Sequence, residues 1–409
     1  MSQRKAVTKA SATRYRRSSR AGKKVMLDEL CELTGWHRDH ARKALRTTGS
    51  PKIVRPQVAR EPMYGAEVIV ALAFCWAVMG TATGKRMAPF LSELVPRLRV
   101  FGELNISDET AAQLSSMSAA TIDRRLVEHR AKLDIRGQSH TKPGSLLKDS
   151  IPIRTWAQWN DAVPGFVEID LVGHEGGNAV GEHCYTLTVT DIATGWTENR
   201  TVRNKAQKWV FAALEDITES FPFPILGIDS DNGSEFINWH LLHWCEANKI
   251  TFTRSRPGNS NDGAHVEQKN WVVVRTVAGY HRYDTEAELV LLNKIWALQT
   301  FITNFFNPQQ KLISKVRNGA KVSKKYDVAA TPNQRAQVHV DITKKSKAAL
   351  TKTYKDLNPA AIQRQIQALT AELLTLSASK CAAANKPVVG KPAKQSLSAR
   401  ETTTDLRAS

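Results

Sequence analysis

The sequence predicts a multidomain chain of α and α/β parts. Three observations carry this. Two short helical patterns with basic second halves fall before residue 131. Apolar strand-like runs alternate with helical ones between 166 and 278. A helical, lysine-rich stretch follows residue 286. At 409 residues the chain has room for two to four domains. Its charge is uneven. Phe166 to Tyr280 holds nine Lys/Arg against fifteen Asp/Glu, a local net of −6, within a chain of net +19. An acidic centre with basic flanks suits a protein that gathers cations in the middle and holds phosphate at its edges. Membrane surfaces and acidic proteins are the other partners such charge attracts.

Residues 1–24 hold nine Lys/Arg and no acid, and read as a disordered basic arm. Residues 25–60 read as a helix-turn-helix: a helix over Asp28–Thr34, a turn at Gly35, and a basic helix over about 37–46. Arg38, Arg42 and Arg46 are its candidate DNA contacts. An ordinary αα-hairpin gives the same pattern. His37 and His40 lie one turn apart, but no cysteine pair accompanies them.

Residues 61–135 form a second helical region. Helices are expected at 66–79 and 85–95. Ser107 caps a third, and a further helix over 119–131 offers Thr121, Arg124 and Arg125 to DNA. The apolar run from Val68 to Gly80 is too short to span a bilayer, so no membrane partner is expected. Residues 136–164 read as a linker.

Between 165 and 306, strands are expected at 166–172, 183–191, 196–203, 224–229 and 250–255. Helices are expected at 206–219, 235–247 and 264–278. A largely apolar helix from Glu286 to Phe306 completes the core or dimerises. Residues 307–380 are a basic C-terminal region with an amphipathic helix from Pro359, and 381–409 read as a disordered tail. The Gly173–Gly177 loop reads as a flexible edge. Five scattered cysteines form no CxxC pair, and no apolar segment follows the basic N-terminus, so a reducing, intracellular compartment is expected.

Three carboxylates stand out. Asp170 interrupts the apolar strand Phe166–Val172. Asp231 ends the apolar run Pro224–Ile228 and precedes Asn232-Gly233. Glu267 follows thirty-five residues later, in the first turns of a helix. Each has an ordinary alternative: Asp before Asn-Gly forms turns, and Glu near a helix start complements its dipole. Asp229, Asp191 and Glu168 are competing acids nearby. Converging carboxylates repel unless a cation sits among them, and hard divalent ions such as Mg²⁺ take oxygen ligands. Two such ions about 4 Å apart can clamp both the attacking and leaving oxygens of phosphoryl transfer.

Asp170, then Asp231-Asn232-Gly233 with Phe236, then Glu267 resembles the D,D-35-E core of retroviral integrases and bacterial transposases. The stretch Arg256-Pro257-Gly258 through Glu267 is similar to that family's loop and third-carboxylate helix. The likeness covers roughly Pro164 to Tyr280. It implies a ribonuclease-H-like mixed sheet and a DNA transposase that cleaves 3′ ends and transfers strands. Asp170, Asp231 and Glu267 would be catalytic and metal-binding, holding two Mg²⁺ or Mn²⁺ ions. The partners implied are double-stranded DNA, as element ends and target, and further copies of the chain in a homo-multimer. The implied location is the bacterial cytoplasm, on the nucleoid. A catalytically silent regulator and a nuclease without joining activity remain alternatives. The sequence departs from retroviral integrases in lacking a His-His-Cys-Cys zinc module. Trp271 and Val274 stand where those proteins carry lysines after the glutamate, so Lys269, Asn270 and Arg275 are expected to contact DNA instead.

Overall fold

The computed structural model describes residues 2–48, 63–131, 162–230, 236, 239–254 and 264–384. The chain divides into two compact units, Met1–Met63 and Tyr64–Ser409.

The first unit is three helices, α1 (Ser2–Arg17), α2 (Arg20–Thr34) and α3 (Arg38–Thr47). The expected disordered arm is thus corrected: α1 is helical and buries Ala12 and Tyr15 against Leu27, Leu30, Ala41 and Leu45. Ser19 caps α2, and Gly35 ends it in the left-handed conformation that glycine adopts without a Cβ clash. His37 caps α3 and His40 packs edge-on against Trp36, so both histidines have structural roles.

The second unit opens with α4 (Ala66–Val78), α5 (Gly84–Met87), α6 (Leu91–Val100), α7 (Asp108–Ser115), α8 (Ala119–Arg125) and α9 (Val127–Ala131). Ser107 and Ser118 cap α7 and α8 through their hydroxyls. The single helix expected over 119–131 is broken at Leu126. Gly84 lies so close to α8 that a Cβ there would meet the Ala119 carbonyl oxygen at 2.2 Å.

The core follows as β1 (Phe166–Gly173), β2 (Tyr185–Asp191), β3 (Thr197–Val202), α10 (Gln207–Ser220), β4 (Gly227–Ser230), α11 (Trp239–Ala247) and β5 (Thr251–Arg254). The sheet order is β3-β2-β1-β4-β5. β1 runs antiparallel to β2 and parallel to β4. Next come α12 (Ala264–Lys269), a π-helical stretch at Asn270–Arg275, and α13 (Thr276–Ala278). One helix was expected over 264–278; the wider π turn inside it could not be read from side-chain spacing, and such turns recur at functional sites.

Helix α14 (Glu286–Phe301) and its π-helical extension to Phe306 are apolar and long enough to cross a membrane. Here they pack inside the protein. Leu292, Ile295, Trp296 and Phe306 are fully buried, and Trp296 Nε1 donates to Thr201 Oγ1 of β3 at 2.6 Å.

The remainder is β6 (Leu312–Asn318), β7 (Lys321–Tyr326), α15 (Pro332–Val338), α16 (Lys344–Asp356) and α17 (Pro359–Ala384). Thr331 and Gln334 form a capping box at α15. Helix α17 extends to 384, so residues 381–384 of the expected tail are helical; residues 385–409 lie outside the described part. The expected boundaries around 136–164 and at 307 do not separate compact units. Arg97 stacks on Tyr354 at 3.7 Å and donates to its carbonyl oxygen. Glu103 is held by Arg364 and Asn358 at 2.7–2.8 Å. These contacts tie α6 to the C-terminal helices.

Candidate active site

Asp170 lies on the central strand, half-buried. Its Oδ1 accepts its neighbour Leu171's N–H at 2.8 Å, and its Oδ2 accepts Asn270 Nδ2 at 2.6 Å. Two residues earlier on the same strand face, buried Glu168 accepts the Val266 N–H at 3.1 Å. These two bonds fasten the start of α12 and its π-helical continuation to β1. Glu267 lies between the two anchors, one residue after Val266 and three before Asn270. Residues three apart are near neighbours on a helix surface, which puts Glu267 beside the Asn270 anchor. Its side chain is exposed.

The register pairs Glu168 with Asp229 and Ile169 with Ser230, one residue before Asp231. Asp231 itself lies outside the described residues. The three competing acids have structural partners. Asp229 accepts Thr253 Oγ1 at 2.6 Å in the core. Glu168 anchors α12. Asp191 holds a turn, accepting the Gly165 N–H at 2.7 Å and both Thr194 donors at 2.6–2.7 Å, while burial pushes its carboxyl up.

Carboxylates on Asp170 and Glu267 are hard oxygen donors of the kind Mg²⁺ takes. Asn270 adds an observation: its side-chain oxygen Oδ1 is buried with no hydrogen-bond partner among the described residues. The donor chemistry fits a divalent cation. No cluster of three His, Cys, Asp or Glu appears among the described residues, a set that leaves Asp231 out.

The expected DNA contacts divide. Lys269 and Arg275 are corrected: both are buried. Lys269 Nζ donates to the Gly195 carbonyl oxygen at 3.3 Å, and burial drives its pKa well below the ordinary value. Arg275 donates to the Gly173 carbonyl oxygen at 2.8 Å and lies over the Tyr280 ring. The helix that presents Glu267 on one side turns these cations inward on the other. Asn270 is half-buried, and its amide serves Asp170. Arg124 and Arg125 remain exposed on α8, with Arg124 bonded to Thr121. Arg38 pairs with Asp28 and Arg42 with Asp39; Arg38 and Arg42 border a shallow cavity of about 620 Å³ with Arg20, Lys23 and Lys24. Arg46 is exposed near the end of α3.

The Gly173–Gly177 loop, expected to be a flexible edge, is tied to its surroundings at three positions. His174 Nε2 bonds Thr186 Oγ1 at 2.8 Å, and Glu175 bridges to Arg282. A Cβ on Gly176 would fall 2.6 Å from the Arg282 Cβ. What the sequence did not reveal was the pairing of Asn270 with Asp170. The available signal was an amide three residues after the glutamate, on its face.

Residues 160–260 match the family model of the integrase core domain. The matched range takes in the whole five-stranded sheet, from β1 to β5. Asp170 and Asp231 fall inside the matched range and Glu267 seven residues beyond it. The chain belongs to the same family as uncharacterized protein y4rM of Sinorhizobium fredii (strain NBRC 101917 / NGR234). The two are 39% identical over 335 residues, covering 81% of this chain and 94% of the relative. Among solved structures, the catalytic core domain of BIV integrase is similar at 16% identity, covering 42% of this chain and 91% of that one, with a TM-score of 0.28. The HTLV-2 integrase catalytic core domain, solved in complex with magnesium in a dimeric form, is similar at 13% identity. It covers 37% of this chain and 93% of that one, also with a TM-score of 0.28.

Proposed function

We propose that this protein is a DNA transposase that cleaves the 3′ ends of a mobile element and joins them to target DNA. The observation that carries the reading is the fastening of the Glu267 helix onto the Asp170 strand through Glu168–Val266 and Asp170–Asn270. On this reading Glu267 joins Asp170 at the site, with Asp231 the next residue after the last paired position of β4.

In the first reaction water attacks phosphorus, the P–O3′ bond at the element end breaks, and the flank keeps the 5′-phosphate. In the second, the freed 3′-hydroxyl attacks a target phosphodiester. A new P–O3′ bond forms and the target's own 3′-oxygen leaves. Asp170, Asp231 and Glu267 would hold two Mg²⁺ or Mn²⁺ ions, which supply Lewis-acid activation of the nucleophile and charge neutralisation at the leaving oxygen. Asn270 fixes the orientation of the Asp170 carboxylate. The Glu168 bond to the Val266 N–H fixes the height of α12 above the sheet. The first three helices and α8 offer Arg38, Arg42, Arg46, Thr121, Arg124 and Arg125 to duplex DNA. Such a protein works as a homo-multimer that brings two ends together, on the nucleoid of a bacterial cytoplasm.

The test incubates purified protein with Mg²⁺ and a plasmid bearing the DNA that flanks the gene. Metal-dependent 3′ nicking followed by joined product is expected. Nicking without joining would make the protein a nuclease. Specific binding to the flanks with no cleavage in Mg²⁺ or Mn²⁺ would make it a regulator.

A further inference from the structure

We infer that the β6–β7 hairpin is an arm that grips the phosphate backbone of double-stranded DNA outside the catalytic core. The choice of DNA as partner rests on the function proposed above.

The hairpin stands alone. Among the described residues its strands pair only with each other, and every residue of both is exposed. A two-stranded ribbon without a packed face is marginal in water, so burial does not explain it. From Lys311 to Tyr326 there are six Lys/Arg and no Asp or Glu. The register sets Lys315 opposite Lys324 and Arg317 opposite Val322, so Lys315, Arg317 and Lys324 share one face. Like charges directly opposite one another destabilise a ribbon. Among the described residues none of these three has an ion pair. Lysines that only guard a strand edge against pairing need not face one another across the ribbon, and glutamates would serve as well. A polyanion lying along the face removes the repulsion.

The arm is fixed at its root. Asp327 N–H donates to the Lys311 carbonyl oxygen at 2.9 Å, Lys311 N–H donates to Asp327 Oδ1 at 2.6 Å, and Arg335 pairs with Asp327 at 2.8 Å. Tyr326, at the end of β7, borders a cavity of about 140 Å³ together with Arg86, Gln268, Lys269 and Gln310. Gln268 and Lys269 directly follow Glu267, so the ribbon springs from the flank of the catalytic helix. A ribbon of six or seven residues is about 20 Å long, and a two-stranded ribbon fits the major groove of B-DNA.

The test uses the full chain without divalent metal, so that no cleavage is read. Fluorescence anisotropy gives Kd for a flank-sequence duplex and an unrelated duplex across a salt series. The variant is K315Q/R317Q/K324Q; all three side chains are exposed, so the fold is not at stake. K345Q/K352Q/K355Q, exposed lysines on α16, matches its charge change. The expected result is a loss of affinity for both duplexes alike, about a hundredfold at 0.15 M salt, with the log–log salt slope shallower by up to about 2.7 for three lost phosphate contacts. An unchanged slope, or an equal loss in the α16 variant, would overturn the inference. Loss of binding to poly-glutamate with duplex affinity intact would overturn it in favour of an acidic protein partner. The readout needs no catalysis. A chain that joins DNA but ignores the hairpin variant defeats only this inference. One that loses affinity through the hairpin but never nicks defeats only the transposase reading.

Discussion

Replacing Asn270 by alanine should cripple nicking without unfolding the protein. The side chain donates one bond, at 2.6 Å, to a carboxylate that must keep its orientation to hold a cation. Hydrogen bonds to charged groups contribute about 1.5–3 kcal/mol. At about 1.4 kcal/mol per factor of ten, the nicking rate should fall roughly 10- to 150-fold. This agrees with the ~10–100-fold typical of residues that orient metal ligands. The fold should suffer little, because the substitution also removes the partnerless Asn270 Oδ1. The assay is single-turnover nicking of flank DNA over a Mg²⁺ titration, with thermal melting alongside. Asn270→Ala should need more Mg²⁺ for half-maximal rate. Asn270→Asp sharpens the test. It sets a second carboxylate against Asp170, so its melting temperature should be low without metal and rise with Mg²⁺ more than the parent's does. A normal rate and normal Mg²⁺ dependence in Asn270→Ala, with Asp170→Asn inactive, would refute the positioning role.

Asp229→Asn should keep joining activity while lowering thermal stability, because Asp229 serves Thr253 in the core, whereas Asp231→Asn should abolish joining; equal loss in both would show that the wrong aspartate has been assigned. Lys269→Met keeps the buried stem and removes an amine desolvated near Arg86 and Arg335, so unfolding free energy should rise in denaturant melts. Because the folded chain resists protonating Lys269, stability of the parent should also climb as pH rises toward 10.5, and climb less in the variant. Burial holds the His174 imidazole down at about 3 from an ordinary 6.5. As pH falls below 6.5 the unfolded chain takes up a proton that the folded chain refuses, so stability is lost progressively toward about pH 3. Urea melts at several pH values should show a shallower loss in His174→Gln.

Much of the core was legible because its strands are buried on both faces and so read as near-continuous apolar runs, against which Asp170 stands out. The ends of apolar runs likewise marked β4 and β5. The first helix was not legible. Its basic residues dominate the composition, and Ala12 and Tyr15 are the hydrophobic residues among those described that join it to the core of the unit. Arg275 lies at the end of the π-helical stretch, which shifts side chains off the 3.6-residue period, so its inward turn was not readable from spacing. The hairpin read only as lysine-rich, although Asn318-Gly319 between two β-branched runs was a turn signal. The Asp170–Asn270 bond joins residues a hundred positions apart and lies beyond any local pattern.

The most direct test of the central claim is strand transfer with a pre-cleaved element end in Mg²⁺, comparing the parent with Asp170→Asn, Asp231→Asn and Glu267→Gln. Each substitution should abolish joining while leaving DNA affinity within about threefold, a shift of less than about 1 kcal/mol. Joining at the parental rate by any one of the three would contradict a single site built from all of them.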